Sequence, residues 1–121
     1  MENIKSFENL DVWKCAIELC VKVYELMKNC KDYGLTNQMQ RSAVSVPSNI
    51  AEGSERQSNK EYVQFLYIAK GSCAELKTQL YIAYRLNYII TEDYDMLAKE
   101  IDIISKMLYK LIQYRKTLIN K

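Results

Sequence analysis

Apolar side chains recur at intervals of three and four residues along almost the whole chain, which is the period of an amphipathic α-helix. The longest such run is Tyr62, Leu66, Ala69, Cys73, Leu76, Leu80, Ala83, Asn87 and Ile90. Taken together, the runs predict four helices, at about residues 10–28, 36–56, 59–89 and 92–119. No low-complexity linker separates them, so we expect one domain over residues 1–121.

The helix ends carry recognisable signals. Ser58 with Glu61 forms a capping box at the start of the third helix, and Thr91 is the predicted cap of the fourth. Gly34 is the predicted left-handed turn residue between the first two helices. Because the connections are short, consecutive helices should run antiparallel, and we predict an all-α, up-down four-helix bundle.

The same periodicity predicts the core seams of the outer helices. In the first helix they are Trp13, Ala16, Cys20, Val23 and Met27. In the fourth helix they are Tyr94, Leu97, Ile101, Ile104, Leu108, Leu111, Arg115 and Leu118.

The second helix separates polar from apolar side chains and contains the only proline, Pro47. Its polar face consists of Arg41, Ser45, Ser48, Asn49, Glu52 and Glu55. Its apolar face consists of Met39, Ala43, Val46, Pro47 and Ile50. Proline removes a backbone donor and crowds the preceding turn, so we predict a kink at Pro47.

Composition narrows the range of functions. Of the 121 residues 49% are hydrophobic, none is histidine, and the four cysteines form no C-x-x-C pair. Without histidine, Ser-His-Asp and Cys-His catalysis and His-containing zinc sites are excluded. We therefore expect no catalytic residues, no metal and no cofactor, and a protein that is not an enzyme. No signal peptide is recognisable, and no apolar run approaches the roughly 20 residues of a membrane span, so we expect a cytoplasmic protein without a membrane partner.

The third helix carries more apolar surface than one bundle can bury. Tyr67, Ala74, Tyr81 and Tyr88 recur every seven residues outside the core seam. Such a row is typical of a contact surface, since tyrosine suits a partly wet interface. We therefore predict that this row is an interface between copies of the chain; the alternative is that the row is simply exposed.

A flank of the third helix carries the polar residues Ser72, Glu75 and Gln79. These residues could form a polar layer with Arg41 or Arg85 from a neighbour, or could lie exposed at a groove.

Positive charge collects towards the end of the chain. The net charge is only +2, but no acidic residue follows Asp102. Lys99, Lys106, Lys110 and Lys121 share one sector of about 80° on the fourth helix by the 3.6-residue period. The candidate phosphate contacts are Lys99, Lys106, Lys110, Arg115, Lys116 and Lys121, with Arg41 a weaker candidate.

For a single copy of the chain, an ordinary solvated helix face is the better explanation of these charges. Copies around a ring would sum the charges into a larger potential. Tyr109 and Tyr114 flank the lysines but belong to other sectors of the helix, so the sequence does not indicate base stacking.

Several short motifs resemble one known family. They are Phe7-x-x-Leu10-x-Val12-Trp13, Gly34-Leu35-x-x-Gln38-x-x-Arg41, Ser45-Val46-Pro47-x-Asn49-Ile50-Ala51-Glu52-Gly53 and Gly71-Ser72-x-x-Glu75-Leu76. The chain resembles the four-helix-bundle proteins encoded in intervening sequences of bacterial 23S ribosomal RNA genes. Its signature residues would be Arg41, Ser45, Pro47, Asn49, Glu52 and Gly53.

The resemblance implies a ring-shaped homopentamer. It also implies kinship with the accessory variability determinant of diversity-generating retroelements, a basic pentamer that binds a reverse transcriptase and nucleic acid. The chain departs from the family at Gln40 and Ser42, where arginine and alanine are frequent.

We therefore predict a non-enzymatic accessory module that binds structured RNA or DNA. The alternative is a protein scaffold that docks a partner, such as a nucleic-acid-processing enzyme, on Ser45, Asn49 and Glu52.

Overall fold

The computed structural model describes residues 7–120 and contains four long helices. After a short 3₁₀ helix (Phe7–Asn9) come α1 (Asp11–Met27), α2 (Tyr33–Ser54), α3 (Asn59–Arg85) and α4 (Thr91–Lys116). There is no β-strand in residues 7–120, so the all-α prediction is confirmed. The main differences from the predicted bounds are an earlier start of α2 and an earlier end of α3.

The start of α2 is set by an aspartate and not by a glycine turn. The Asp32 carboxylate accepts a hydrogen bond from the backbone N–H of Leu35 at 3.1 Å, which caps the helix. Gly34 lies inside the first turn of α2, and none of the glycines in the described chain has a positive φ. The prediction of a left-handed turn at Gly34 is therefore wrong.

Both ends of α3 have side-chain or backbone caps. The Ser58 hydroxyl accepts from the Glu61 N–H at 3.1 Å, which confirms the predicted N-cap. At the other end Asn87 has a φ of 64° and the N–H of Tyr88 donates to the carbonyl of Ala83 at 2.9 Å. This is a Schellman ending, in which asparagine adopts the left-handed conformation that stops the helix. Asn87 and the exposed Ile90 therefore do not extend the core seam.

The cap predicted at the start of α4 is also corrected. Ile90 occupies the N-cap position and makes no side-chain cap hydrogen bond, while Thr91 is already the first helical residue. Glu92 and Asp93 do lie in the first turn, where negative charge complements the helix dipole.

The helices pack as a four-membered bundle, with contacts between α1 and α2, α2 and α3, α3 and α4, and α4 and α1. The predicted α3 seam from Tyr62 to Ala83 is buried. In α1 the buried positions are shifted: Val12 and Leu19 are buried, while Trp13 is half-buried with its ring against Phe7 at 5.3 Å. In α4, Ile112 is fully buried and Arg115 is only half-buried.

The apolar face predicted for α2 is buried, and Pro47 lies within it. The kink at Pro47 and the antiparallel course of the helices stay predictions. None of the helices in residues 7–120 is both long and apolar enough to cross a bilayer.

Candidate nucleic-acid interface

Three lysines lie on the solvent side of α4. Lys99, Lys106 and Lys110 are exposed, opposite the buried positions of the same helix. The rise of an α-helix separates the first from the last by about 16 Å. We call Lys99, Lys106 and Lys110 the lysine row. Lys121, which the sequence adds to the same sector, lies outside the described residues.

The lysine row differs from the other lysines around α4 in having no partner. None of its three side chains forms an ion pair or hydrogen bond with residues 7–120. By contrast, Lys22 donates to Glu100 and Lys77 donates to Asp102, each at 2.8 Å. The ammonium groups of the row are therefore available to an external anion.

Acidic residues lie within one helical turn of Lys99 and of Lys106 but not of Lys110. Asp95 and Asp102 share the exposed side of α4, but Asp102 is already paired with Lys77. No acidic residue follows Asp102 in the sequence. The positive potential of α4 is therefore greatest around Lys106 and Lys110.

Arg115 has a different environment from the lysines. Its guanidinium donates to the Asn59 side-chain oxygen at 3.1 Å and lies 4.7 Å from the centroid of the Tyr62 ring. Burial raises the pKa of Tyr62, while the charge of Arg115 lowers it. Arg115 thus joins α4 to the start of α3, in line with its predicted place in the core seam. These contacts weaken its assignment as a phosphate contact.

Lys116 stands apart from the row. It is exposed, and its ammonium group lies 5.3 Å from the centroid of the Tyr67 ring on α3. It therefore contributes charge towards the α3–α4 groove and not to the outer face of α4.

The tyrosine row predicted as an interface is shorter than expected. Tyr67, Ala74 and Tyr81 are exposed on α3, and Tyr81 also contacts Tyr94 of α4 with 5.9 Å between ring centroids. Tyr88 lies beyond the end of α3, and its hydroxyl donates to Asp32 at 3.0 Å. This hydrogen bond raises the pKa of Tyr88. Self-association through the remaining positions stays a prediction.

The signature residues of α2 mainly form contacts inside the bundle. The Ser45 and Ser72 hydroxyls are 2.7 Å apart, and the Asn49 amide donates to the Ser45 carbonyl and hydroxyl at 2.8 and 2.9 Å. The Ser45–Ser72 hydrogen bond connects the polar flank of α2 to α3, and the two Asn49 hydrogen bonds lie within α2. The side chains of Ser45 and Asn49 are therefore already engaged within the protein.

Gly53 permits a close approach of α2 to α3. A Cβ at this position would lie 2.7 Å from the Phe65 Cβ, a separation that real side chains do not adopt. One residue earlier, Glu52 accepts from Arg56 at 2.8 Å, and the Arg56 guanidinium lies 4.6 Å from the Phe65 ring centroid. The signature run from Pro47 to Gly53 is thus largely a packing motif.

Arg41 and Glu52 are the exposed signature residues, and Glu52 is paired with Arg56 whereas Arg41 is not paired. Arg41 has no hydrogen bond or ion pair with the described part of the chain. It lines an open groove of about 660 Å³ between α1 and α2, whose other lining residues are Tyr24, Asn37, Gln40, Val44, Ser45, Ser48 and Asn49.

The predicted polar layer with arginine does not form among residues 7–120. Ser72 and Gln79 are buried but Glu75 is exposed, and the Arg85 guanidinium donates to the Tyr81 hydroxyl at 3.2 Å instead. The carbonyl oxygen of the Gln79 side chain is buried without a partner in the same residues. Ser72 bonds Ser45, a partner that the sequence pattern did not identify.

Comparison with known families decides the relationship of the chain. The profile of the 23S rRNA-intervening sequence protein family matches residues 8–110. The chain belongs to this family. The match includes the signature residues of α2 and all three positions of the lysine row.

A solved structure is similar to this member of the 23S rRNA-intervening sequence protein family. It is a protein of unknown function from the S23 ribosomal protein family of Bacteroides thetaiotaomicron, determined at 1.70 Å. The two chains are 27% identical and superpose with a TM-score of 0.79, covering 84% of this chain and 97% of the other. No curated protein matches the chain.

Proposed function

We propose that this family member is a non-enzymatic, self-associating helical bundle of the cytoplasm that binds structured nucleic acid. The observation that carries the proposal is the lysine row. Its three exposed ammonium groups lie on one face of α4 without partners in residues 7–120. Regularly placed, unpaired cations are what a phosphate backbone requires, and they need no sequence-specific pocket.

The row sets the expected strength of the interaction. On a duplex, each phosphate contact contributes about −0.9 to the slope of log affinity against log salt concentration. Three contacts therefore give a slope of about −2.7. A fourfold rise in salt would then weaken binding about 40-fold. A single copy would bind weakly, and an assembly, pentameric as the family resemblance implies, would present several rows to one ligand.

The absence of histidine from the sequence supports a binding role over catalysis. Among residues 7–120, no three histidine, cysteine, aspartate or glutamate side chains are grouped to hold a metal ion.

The proposal is tested with the double variant Lys106→Gln and Lys110→Gln against a fluorescent RNA hairpin across a salt series. With one row contact left per copy, we expect the slope to fall to about −0.9 per bound copy. The matched control is Lys14→Gln with Lys31→Gln, which removes the same amount of charge. These two lysines lie outside the row and, like the row, have no ion pair or hydrogen bond with residues 7–120. An unchanged slope in the row variant, or an equal change in the control, would refute the lysine row as the binding surface.

The second candidate is a protein scaffold on α2. Ser45 and Asn49 of the predicted docking face are hydrogen-bonded within the bundle, yet both line the same accessible groove of about 660 Å³ as Arg41. A protein complex that survives nuclease and high salt, and is lost in Arg41→Gln, would favour this candidate.

A further inference from the structure

Two exposed tyrosines stand on either side of the lysine row. Tyr109 is 56% exposed and Tyr114 is 57% exposed. Tyr109 follows Lys106 by three residues and Tyr114 follows Lys110 by four, so each ring lies about one helical turn from a row lysine. The helical rise separates the two tyrosines by about 7 to 8 Å along α4.

These rings are not used in packing the bundle. Neither contacts another aromatic ring in residues 7–120, whereas Tyr84 and Tyr94 stack at 5.0 Å between α3 and α4. The ring contact of Tyr114 is with its neighbour Arg115, whose guanidinium lies 5.7 Å from the centroid. Both hydroxyl groups lack a hydrogen-bond partner within the described chain. More than half of the surface of each tyrosine is therefore open to solvent.

We propose that Tyr109 and Tyr114 are stacking platforms for unpaired nucleobases, so that the nucleic acid bound at α4 is single-stranded where it meets the rings, as in the loop of a structured RNA. The inference rests on the proposed function, because the lysine row holds the backbone whose bases reach the rings. It differs from the sequence-based expectation, in which the two tyrosines lie in other sectors of α4 than the lysines and base stacking is not indicated. A tyrosine ring extends well beyond its Cα, and here the rings are exposed beside the row instead of packed into the seams on either side.

The chemistry distinguishes single strands from duplexes. An aromatic ring stacks on a base only when one face of that base is uncovered, as in a single strand or a loop. In a duplex each base is covered by its neighbours, and protein contacts reach only edges and phosphates. Lysines alone would bind both forms through their phosphates, while lysines with open rings favour the single strand.

The test compares a labelled oligouridine strand with an RNA duplex carrying the same number of phosphates, both in one buffer. We expect tighter binding of the single strand. Tyr109→Leu with Tyr114→Leu should weaken single-strand binding about 25-fold or more, because each of the two stacked bases contributes roughly fivefold or more. The same variant should leave the duplex affinity and the salt slope unchanged.

Two controls separate stacking from other effects of substitution. Tyr109→Phe with Tyr114→Phe keeps both rings and should retain the single-strand preference. Tyr24→Leu with Tyr33→Leu removes two exposed tyrosines away from α4 and should leave both affinities unchanged. Light scattering of every variant reports whether assembly has changed.

The outcomes distinguish the two proposals. Equal loss of strand and duplex binding in the leucine variant, with altered assembly, would overturn the stacking role and assign the rings to contact with a second copy. Equal affinity of the unmodified protein for strand and duplex would overturn the inference and leave the lysine row intact. Failure to bind either RNA at low salt would overturn the proposed function and the inference with it.

Discussion

Gly53 is the position at which a single added carbon should disturb the bundle most clearly. The Cβ of Gly53→Ala would lie 2.7 Å from the Phe65 Cβ, 3.0 Å from the Tyr62 ring and 3.3 Å from the Tyr62 carbonyl oxygen. Two of these atoms belong to the backbone of α3 or are bonded directly to it, so no flexible side-chain end can move aside. The end of α2 would have to move away from α3.

A second glycine separates this clash from helix propensity. Gly71 lies exposed inside α3, and nothing is within 4 Å of a Cβ built there. Replacing glycine by alanine in a helix stabilises by about 1 kcal/mol when no contact changes. Overpacking a close contact costs about 1–3 kcal/mol. Gly71→Ala should therefore stabilise the fold by about 1 kcal/mol, and Gly53→Ala should be about 1–3 kcal/mol less stable than Gly71→Ala.

The measurement is urea unfolding followed by far-ultraviolet circular dichroism. All variants are compared at one protein concentration, because self-association would make apparent stability depend on concentration. Comparing the denaturant slopes of the variants shows whether the folded or unfolded state has changed in compactness. Equal stability of Gly53→Ala and Gly71→Ala would refute the close approach of α2 to α3.

Three other predictions follow from the structure. Asn87→Ala should destabilise by about 1 kcal/mol because alanine resists the left-handed conformation, while Asn87→Gly should be nearly neutral in urea unfolding. Burial raises the pKa of Cys73 to about 11, so iodoacetamide at neutral pH should modify the exposed Cys15 and leave Cys73 intact until unfolding, as read by peptide mass spectrometry. Ala74→Glu should reduce the molar mass in light scattering if the α3 row is the interface between copies; an unchanged assembly would exclude Ala74 from it.

The sequence predicted the fold well because the core periodicity is strong. The seam from Tyr62 to Ala83 and the apolar face of α2 are both buried as expected. Periodicity could not locate the end of α3, since Asn87 continues the spacing while its backbone turns left-handed. A local asparagine followed by a tight loop outweighs a pattern of apolar positions.

The candidate interface was harder to predict, because sequence spacing does not reveal partners. The sequence placed Arg115 both in the core seam of α4 and among the candidate phosphate contacts. Only the structure shows its contacts with Asn59 and Tyr62. For Tyr109 and Tyr114 the sequence indicated no binding role, because they belong to other sectors of α4 than the lysines. The structure shows both to be exposed. Their exposure depends on how the neighbouring helices pack, which the sequence of α4 alone does not contain.

The packing of the signature explains why family membership says more about fold than about ligand. Ser45 and Asn49 bond to α3 or to each other, and Gly53 sets the α2–α3 distance, so these residues act on the bundle itself. The lysine row lies on α4 and contributes to none of these contacts. A chain could therefore keep the α2 signature and the fold while its α4 surface carried a different charge. Binding and stability should then be separable in this protein, since the residues proposed for one are not the residues that determine the other.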